Sequence, residues 1–328
     1  MMEELQMVWG WQPALYLFLG GLGAGASVVA GIMTLRNYDK HRKTVSIAFW
    51  AAAACLIVGL LLLLTELTNP LRGLMLWQSF SQFGSWMTLG AWLLAGAVAV
   101  FLVTAFFATD KTYRLVAKGP GKTGSRSTVL KVFAILSILL GIGVAAYTGV
   151  LLMAAPGVPL WNTPLLPCLF TVSALDTGVA LVELVDALVQ EDGKASRKAR
   201  FYLEIAVAVL VAIEIAVLGV LAATMFGGGD VNSVNGAAAQ ATAIASMETL
   251  TVGSLAPYFW GLVVVVGLLV PFIAAILGMA AHDKRSMVFG IVGACGALIG
   301  GCALRFVVLA AGTHADIITS EVTKLLFY

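Results

Sequence analysis

GSWMTLGAWLLAGAVAVFLVTAFFATDKTYRLVAKGPGKTGSRSTVLKVFAILSILLGIGVAAYTGVLLMA, residues Gly84–Ala154, contains two long apolar runs with a lysine- and arginine-rich segment between them. Each run is longer than the about 20 residues that an α-helix needs to cross a hydrocarbon core of about 30 Å. Short loops rich in lysine and arginine stay on the cytoplasmic side of the membrane. This stretch therefore predicts two membrane-spanning helices joined by a cytoplasmic loop.

Eight such apolar runs follow one another along the 328 residues of the protein. Each of them is long enough to span a bilayer as a helix. The sequence therefore predicts an all-α, polytopic membrane protein in which residues 1–328 form a single integral membrane domain. The predicted spans are roughly Trp11–Leu35, Thr44–Leu67, Gly84–Ala108, Val129–Ala154, Pro164–Val189, Phe201–Phe226, Pro257–Ala281 and Met287–Gly312.

The nineteen lysine and arginine residues are distributed unevenly between the gaps. The first, third, fifth and seventh gaps hold four, six, four and two of them. The other gaps and both ends hold only Arg72 and Lys324, and Arg305 lies inside the last run. By the positive-inside rule the basic gaps face the cytoplasm. Both termini are therefore expected on the outside (N-out, C-out), and the protein is expected in the cell inner (cytoplasmic) membrane.

The composition excludes an ordinary soluble globular protein. Hydrophobic residues make up 60% of the sequence and charged residues 11%, against about 25% charged residues in typical soluble domains. The acidic start, Met-Met-Glu-Glu, and the length of the first run argue against a cleavable signal peptide. Because no gap is long enough for a soluble domain, the chemistry is expected within the bilayer or on a partner protein.

The few cysteines and histidines restrict the cofactors that this protein can bind. The cysteines have no C-x-x-C spacing, so no iron–sulfur cluster is expected in this chain. The histidines lie at the ends of the apolar runs, so none is positioned inside a helix as the axial ligand of a b-type haem. The sequence therefore predicts no metal site. The residues concerned are Cys55, Cys168, Cys295, Cys302, His41, His282 and His314.

Small residues and one proline mark places where helices are expected to pack or bend. Gly21 and Gly25 are four residues apart, as are Gly296 and Gly300, and this spacing lets two helix backbones approach closely. Pro271, halfway along the seventh run, is expected to kink that helix or to leave a carbonyl unbonded. The long, weakly charged outer loop before the seventh run favours a short surface helix, which either docks another protein or serves as a linker.

Several charged residues lie in or at the ends of the apolar runs, where a central charge costs at least about 2.5–3.5 kcal/mol on insertion scales. One hypothesis is structural: Glu66 pairs with Arg305, and the other acids are packing groups. The other is functional: Asp176 and Glu183, seven residues apart on one helix face, act with Glu214 in proton transfer to a redox site near the outer face. The full set is Glu66, Asp176, Glu183, Asp186, Glu204, Glu214 and Arg305.

Six segments resemble the NrfD/PsrC family of quinone-reactive membrane subunits of molybdopterin-containing respiratory complexes, and the resemblance covers all eight runs in order. The resemblance implies two packed four-helix bundles, no metal in this chain and a quinone pocket near the outer face. It also implies a ferredoxin-like iron–sulfur subunit docked on that face, which exchanges electrons with a molybdopterin catalytic subunit. The segments are WGWQPALYLFLGGLGAGA (9–26), TELTNPLR (65–72), AAYTGVLL (145–152), PLWNTPLLPCLFTVSALDTGVAL (159–181), FWGLVVVVGLLVP (259–271) and ALRFVVLAAG (303–312).

The resemblance also implies roles for individual residues. Tyr147, in the Tyr-Thr-Gly motif, would donate a hydrogen bond to a carbonyl of menaquinone or ubiquinone. Glu66 and Arg305 would line the pocket or begin the proton route, which makes these three the candidate catalytic residues. Where the family can place an Asn and a His near the start of the first helix, this sequence offers Gln12 and no histidine. Trp161 is a candidate wall of the pocket, or alternatively an anchor at the membrane interface.

The predicted function is therefore electron exchange between membrane quinol and an iron–sulfur partner, with proton transfer as a further expectation. A secondary transporter is one alternative, because such folds combine broken helices with charges at the midplane. Most of the runs, however, lack the paired interruptions that a transporter needs. A passive membrane anchor without a quinone site is the other alternative, and it would leave Tyr147, Glu66 and Arg305 unexplained.

Overall fold

The structure is a computed structural model, and it describes residues 10–66, 86–116, 123–155, 157–189, 193–227, 236–281 and 284–313. Every regular element in these ranges is helical. A 3₁₀ turn, Tyr38–Lys40, follows α1, and a π-helix, Phe259–Leu269, joins α9 to α10. The α-helices are α1 Trp11–Asn37, α2 Arg42–Glu66, α3 Trp86–Ala108, α4 Asp110–Val116, α5 Thr123–Met153, α6 Leu165–Val189, α7 Gly193–Phe226, α8 Gly236–Thr251, α9 Ala256–Tyr258, α10 Val270–Ala280 and α11 Lys284–Ala310.

Eight helical segments of the described residues are long and apolar enough to cross a membrane. They are α1, α2, α3, α5, α6, α7, the continuous segment from α9 through the π-helix to α10, and α11. The all-α class and the eight predicted spans are therefore confirmed. α5 and α7 begin at Thr123 and Gly193, earlier than their apolar runs. The added residues of α7, 193–200, are rich in lysine and arginine, which are good helix formers and whose long stems can lie along apolar surface while the charges reach water.

Two short helices, α4 and α8, lie between the spans in the described ranges. α8 confirms the short surface helix expected in the long outer loop, whereas α4 was not expected. Asp110 begins α4, and its carboxylate pairs with Arg126 Nη1 at 2.6 Å and with Arg42 Nη1 at 3.0 Å. Burial alone would raise the pKa of the Asp110 carboxyl, but the hydrogen bonds from Arg126 and Arg42 hold it below its ordinary value. Arg42 and Arg126, two cations of the basic loops, thus both pair with the Asp110 carboxylate.

The first and last groups of four spans meet along α1 and α6. α1 packs against α2, α5 and α6, and α3 packs against α2 and α5. α6 and α10 each pack against α7 and α11. α1 is the most enclosed span: 78% of the residues in its apolar stretch are buried, against 61% or less in the other spans. Residues of α1 and α6 are therefore placed in the interior, where their polar groups need partners within the protein.

Glycine allows α1 and α6 to lie unusually close together. A side chain at Gly25 would collide with the backbone of Ala174, and one at Gly178 would collide with the backbone of Gly25. In the last spans, Gly300 of α11 meets Gly267 of the π-helix in the same way. Gly25 and Gly300 belong to the two glycine pairs singled out in the sequence, Gly21/Gly25 and Gly296/Gly300. The prediction that these pairs serve helix packing is confirmed.

Gly178→Ala is expected to destabilise the protein, whereas Gly96→Ala is not. In an open helix, alanine is more stable than glycine by about 0.5–1 kcal/mol. At Gly178 the added methyl group would overlap the α1 backbone, and overpacking costs about 1–3 kcal/mol. Gly96 of α3 has no described atom within 4 Å of the position where a Cβ would lie. The thermal unfolding midpoint in detergent should fall only for Gly178→Ala, and equal midpoints would contradict the close approach of α1 and α6.

Pro271 changes the register of its helix. Proline has no backbone N–H and cannot continue the α-helical hydrogen-bond pattern. The eleven residues before α10 are π-helical, and the Val270 N–H donates to the Val265 carbonyl, five residues earlier. Local π adjustments of this kind re-satisfy backbone groups in membrane helices. The expected interruption is therefore present, as a π-helix that ends beside Pro271.

Candidate functional site

Tyr147 lies in the interior of the first four spans. Its side chain is 9% exposed, and its phenol ring fills the space that a side chain at Gly90 of α3 would occupy. Tyr16 of α1 is fully buried and close enough to Tyr147 for the two phenols to interact electrostatically. α1, α3 and α5 thus position two phenols, groups that can donate a hydrogen bond to a carbonyl oxygen.

Gln12 lies one helical turn before Tyr16 and is half-buried. Residues four apart share a helix face, so the amide of Gln12 and the phenol of Tyr16 lie on the same side of α1. Trp161 is also interior: its ring packs where a side chain at Gly312 would lie, and its Nε1 donates to the Val308 carbonyl at 3.0 Å. This buried position differs from that of an anchor exposed at the membrane interface.

Glu66 is the last residue of α2, and its side chain lies outside the part of the protein that the structure describes. Its predicted pairing with Arg305 therefore stays a prediction. Arg305 lies within the last four spans, and the contacts described for it next do not involve Glu66.

Arg305 is fully buried and is held by α6 and by its own helix. Nη1 donates to Ser173 Oγ at 2.5 Å and to the Gly301 carbonyl at 2.9 Å, and Nη2 donates to the Phe170 carbonyl at 3.3 Å. The guanidinium also lies over the Phe170 ring, 5.0 Å from its centroid. Nε has no hydrogen-bond partner among the described residues. A buried cation with neutral partners requires a negative charge nearby.

Glu214 of α7 and Asp176 of α6 are the carboxyl groups near this cation. Both are buried, and both interact electrostatically with Arg305. Glu214 also reaches the hydroxyl of Ser173, so Ser173 can accept from Arg305 and donate to Glu214. Asp176 Oδ1 has no hydrogen-bond partner in the described part of the protein. Two carboxyl groups therefore face one guanidinium.

Glu183 and Glu204 form a second acidic pair, closer to the basic loops. The Glu183 carboxyl lies against Gly290 of α11, and its Oε1 has no partner within the described ranges. Glu204 Oε1 accepts a hydrogen bond from Ser286 Oγ at 2.9 Å. The two side chains line a cavity of about 10 Å³, which is about the space that one water molecule needs.

Asp186 ends this acid line, the series Asp176, Glu214, Glu183, Glu204 and Asp186. Its Oδ1 accepts from Thr44 Oγ1 at 3.3 Å, and its Oδ2 lies 3.6 Å from Arg200 Nε. Ser173 and Asp186 are thirteen residues apart on α6, or about 20 Å at 1.5 Å per residue. The buried polar groups therefore extend over about two thirds of a 30 Å hydrocarbon core.

Two adjacent glycines of α1 lie close to Tyr16 and Arg305. At Gly20, a Cβ would lie 3.7 Å from Thr148 Cγ2 and 4.0 Å from the Tyr16 ring. At Gly21, a Cβ would lie 3.4 Å from Arg305 Nη2. The α1 backbone at these two glycines therefore lies against the Tyr16 ring and against Arg305, without a side chain of its own between them.

Tyr16 and Ser173 are site residues that the sequence reasoning did not name, and Glu204 was named without a role. The position of Tyr16, four residues after Gln12, was a usable signal for a shared helix face. Ser173 carried no such signal, because its importance depends on Arg305, a residue 132 positions away. Among the described residues, no group of three His, Cys, Asp or Glu side chains is arranged to hold a metal ion.

Comparison with known proteins finds relatives over almost the whole sequence. Residues 2–315 match the family described as Polysulphide reductase, NrfD. The protein is 33% identical over 317 residues to the C subunit of polysulfide reductase from Wolinella succinogenes, covering 93% of this sequence and 94% of that protein. It is 29% identical over 323 residues to protein NrfD of Escherichia coli, covering 93% and 95%. It is 26% identical over 329 residues to a protein NrfD homolog of Haemophilus influenzae, covering 93% and 94%.

Proposed function

Given that the chain belongs to the polysulphide reductase NrfD family of membrane proteins, we propose that it exchanges electrons between membrane quinol and an iron–sulfur partner subunit. The partner would be ferredoxin-like, would dock on the outer face and would connect to a molybdopterin catalytic subunit. The similarity over 93% of the sequence to a protein named as a component of polysulfide reductase supports a role inside an oxidoreductase complex.

We further propose that the first and last four spans form two four-helix bundles in the cell inner membrane, with both termini outside. The contacts of α3 with α2 and α5, and of α10 with α7 and α11, support two groups of four. The orientation rests on the cations, since the first, third, fifth and seventh gaps hold nearly all of them. In this orientation Tyr147 lies toward the outer end of α5, on the side where the partner would dock.

The quinone head group would bind beside the two phenols, where Tyr147 would donate a hydrogen bond to a quinone carbonyl. When bound, menaquinone or ubiquinone supplies the redox chemistry, releasing two electrons and two protons on oxidation of the quinol. Two observations support the fit of a quinone head group to this place. The missing side chain of Gly90 makes room for the Tyr147 ring. Gln12 and Tyr16 add an amide and a phenol on one face of α1.

The single observation that carries the proposal is the position of Gly20 and Gly21 of α1. Gly20 lies against the Tyr16 ring and against Thr148, the residue after Tyr147, and Gly21 lies against Arg305 Nη2. Arg305, in turn, lies beside Asp176 and Glu214 of the acid line. A carboxyl group that is not needed to balance the guanidinium can hold a proton. A redox site and a proton route would therefore be adjacent, as quinol oxidation requires. A passive anchor has no need of this arrangement.

Tyr147→Phe is expected to slow quinol-linked turnover of the assembled complex about tenfold, the value of one hydrogen bond to a buried acceptor. Reduction of the terminal substrate by an artificial dye should be unchanged, because the dye bypasses the quinone site. Loss of both activities would indicate failed assembly, and an unchanged quinol rate would contradict the role of Tyr147.

Tyr258→Phe is the matched control. Tyr258 lines a different apolar groove, of about 720 Å³, between α1, the π-helix and α11. The quinol rate of this variant should equal that of the wild type. A lower rate for Tyr258→Phe, with a normal rate for Tyr147→Phe, would move the head group into that groove.

A further inference from the structure

A deep groove lies between α1 and α7 at the end of the molecule that carries the basic loops. Its volume is about 630 Å³. Both helices pack against α6, which provides the floor of the groove through Leu175 and Val179. The mouth of the groove is lined by the cationic residues Arg36, Lys40 and Lys198. The groove thus combines a long apolar wall with a positively charged entrance.

The apolar part of the groove has the length of a lipid tail. On α7 its lining extends from Lys198 to Leu210, thirteen residues that cover about 18 Å of helix. On the α1 side, Ile32 and Val28 complete the wall. One leaflet of the hydrocarbon core is about 15 Å thick. An acyl tail can therefore lie along the groove with its head group at the cationic mouth.

The cations at the mouth are available to an external anion. Arg36 lies over the ring of Tyr202, 5.1 Å from its centroid, a contact that leaves its N–H groups free to donate. Within the described ranges, neither Lys40 nor Lys198 pairs with a carboxylate. The neighbouring Asp39 is taken by Arg42, whose Nη2 lies 3.0 Å from its Oδ1.

His41 provides a second and independent indication of a ligand. Its side chain is 8% exposed and lines the groove. Its Nδ1 is buried and has no hydrogen-bond partner among the described residues. A buried polar nitrogen without a partner is costly, and an oxygen atom of a ligand in the groove would satisfy it.

We propose that this groove binds one anionic phospholipid of the leaflet that faces the basic loops. Its phosphate accepts hydrogen bonds from Arg36, Lys40, Lys198 and His41 Nδ1, and an acyl tail lies between α1 and α7. Basic pockets between membrane helices on the cytoplasmic side favour anionic head groups. The charge distinguishes this occupant from a quinone, whose neutral head group does not need three cations. The lipid would hold together the two groups of spans where α1 and α7 do not fill the space.

The test uses the purified full-length protein in detergent and measures the thermal unfolding midpoint during titration with phosphatidylglycerol or phosphatidylcholine. Phosphatidylglycerol should raise the midpoint with saturation, and phosphatidylcholine should not. In the Lys40→Gln/Lys198→Gln variant, the apparent affinity for phosphatidylglycerol should fall by about ten- to thirtyfold, since each cation near an anionic lipid contributes modestly and additively. The control variant Lys111→Gln/Lys131→Gln removes two basic-loop cations outside the groove and should keep the wild-type affinity.

Three outcomes would overturn the proposal. Equal responses to the two lipids would show that the head group charge is not recognised. Equal losses in the two double variants would show only a general effect of basic charge. Displacement of bound phosphatidylglycerol by a short-tailed ubiquinone would assign the groove to quinone. Midpoints measured without added lipid identify a variant that fails to fold, and Lys40→Arg/Lys198→Arg, which keeps both charges, should then retain the phosphatidylglycerol response.

Discussion

Arg305→Met is expected to abolish quinol-linked turnover, with a decrease of at least about a hundredfold, and to destabilise the protein by about 3–5 kcal/mol. The substitution removes the guanidinium that bonds Ser173 and the Phe170 carbonyl. It also removes the buried cation that interacts with the carboxyl groups of Glu214 and Asp176. Turnover of the complex and the thermal unfolding midpoint of the purified protein measure the two effects separately.

A second substitution distinguishes the loss of function from the loss of stability. Arg305→Met/Glu214→Gln removes the carboxylate that the first change leaves unpaired, so part of the lost stability should return while turnover stays low. Arg305→Lys keeps the charge but not the planar set of donors, and it should be intermediate in both measurements. An Arg305→Met protein with wild-type turnover would contradict any role of this cation in the proposed quinol oxidation.

The spans could be predicted because the bilayer imposes strong constraints on composition. A helix must be long and apolar to cross it, and the eight runs satisfied this condition without reference to tertiary structure. The helix ends were less predictable: α5 begins at Thr123 and α7 at Gly193, because helix formation continues past the apolar boundary into residues that tolerate water. The π-helix beside Pro271 was expected only as an interruption, since the choice between a kink and a π register depends on the neighbouring helix.

Around Arg305, the sequence identified the charged side chains of the buried cluster but not the serine that joins them. Asp176, Glu183, Glu214 and Arg305 were identifiable because a charge in an apolar run is costly. A serine in the same run costs little and commonly bonds its own helix, so Ser173 was indistinguishable from a packing residue until Arg305 was seen beside it. Pairings between distant helices, such as that predicted for Glu66, require the packing that the sequence leaves open.

The acid line also brings together side chains that the sequence left in separate helices. Asp176 and Glu183 share a face of α6, as their spacing predicted. Glu214 and Glu204 come from α7, and each lies next to one of them. The two acidic pairs thus form steps along one interface, with space for about one water between Glu183 and Glu204. This arrangement of four carboxyl groups along one interface is the basis for the candidate proton route.

Asp176→Asn and Glu183→Gln are each expected to abolish the proton movement on the basic-loop side that is coupled to turnover, which is uptake when quinone is reduced. Both changes keep the side-chain volume but remove the group that can bind and release a proton, a step that contributes about 10²–10⁴-fold when a side chain is positioned for it. The measurement is the pH change, followed with an impermeant dye, in proteoliposomes that contain the assembled complex and are supplied with quinol or its oxidised form.

Glu248→Gln is the control, since Glu248 is an exposed carboxyl on α8, away from the acid line. Its proton movement and turnover should equal those of the wild type. Turnover and proton movement that both survive in Asp176→Asn and in Glu183→Gln would mean that these acids are packing groups and that protons enter and leave at the outer face. Retained turnover without the pH change would instead separate electron exchange at Tyr147 from a proton route that passes through α6 and α7.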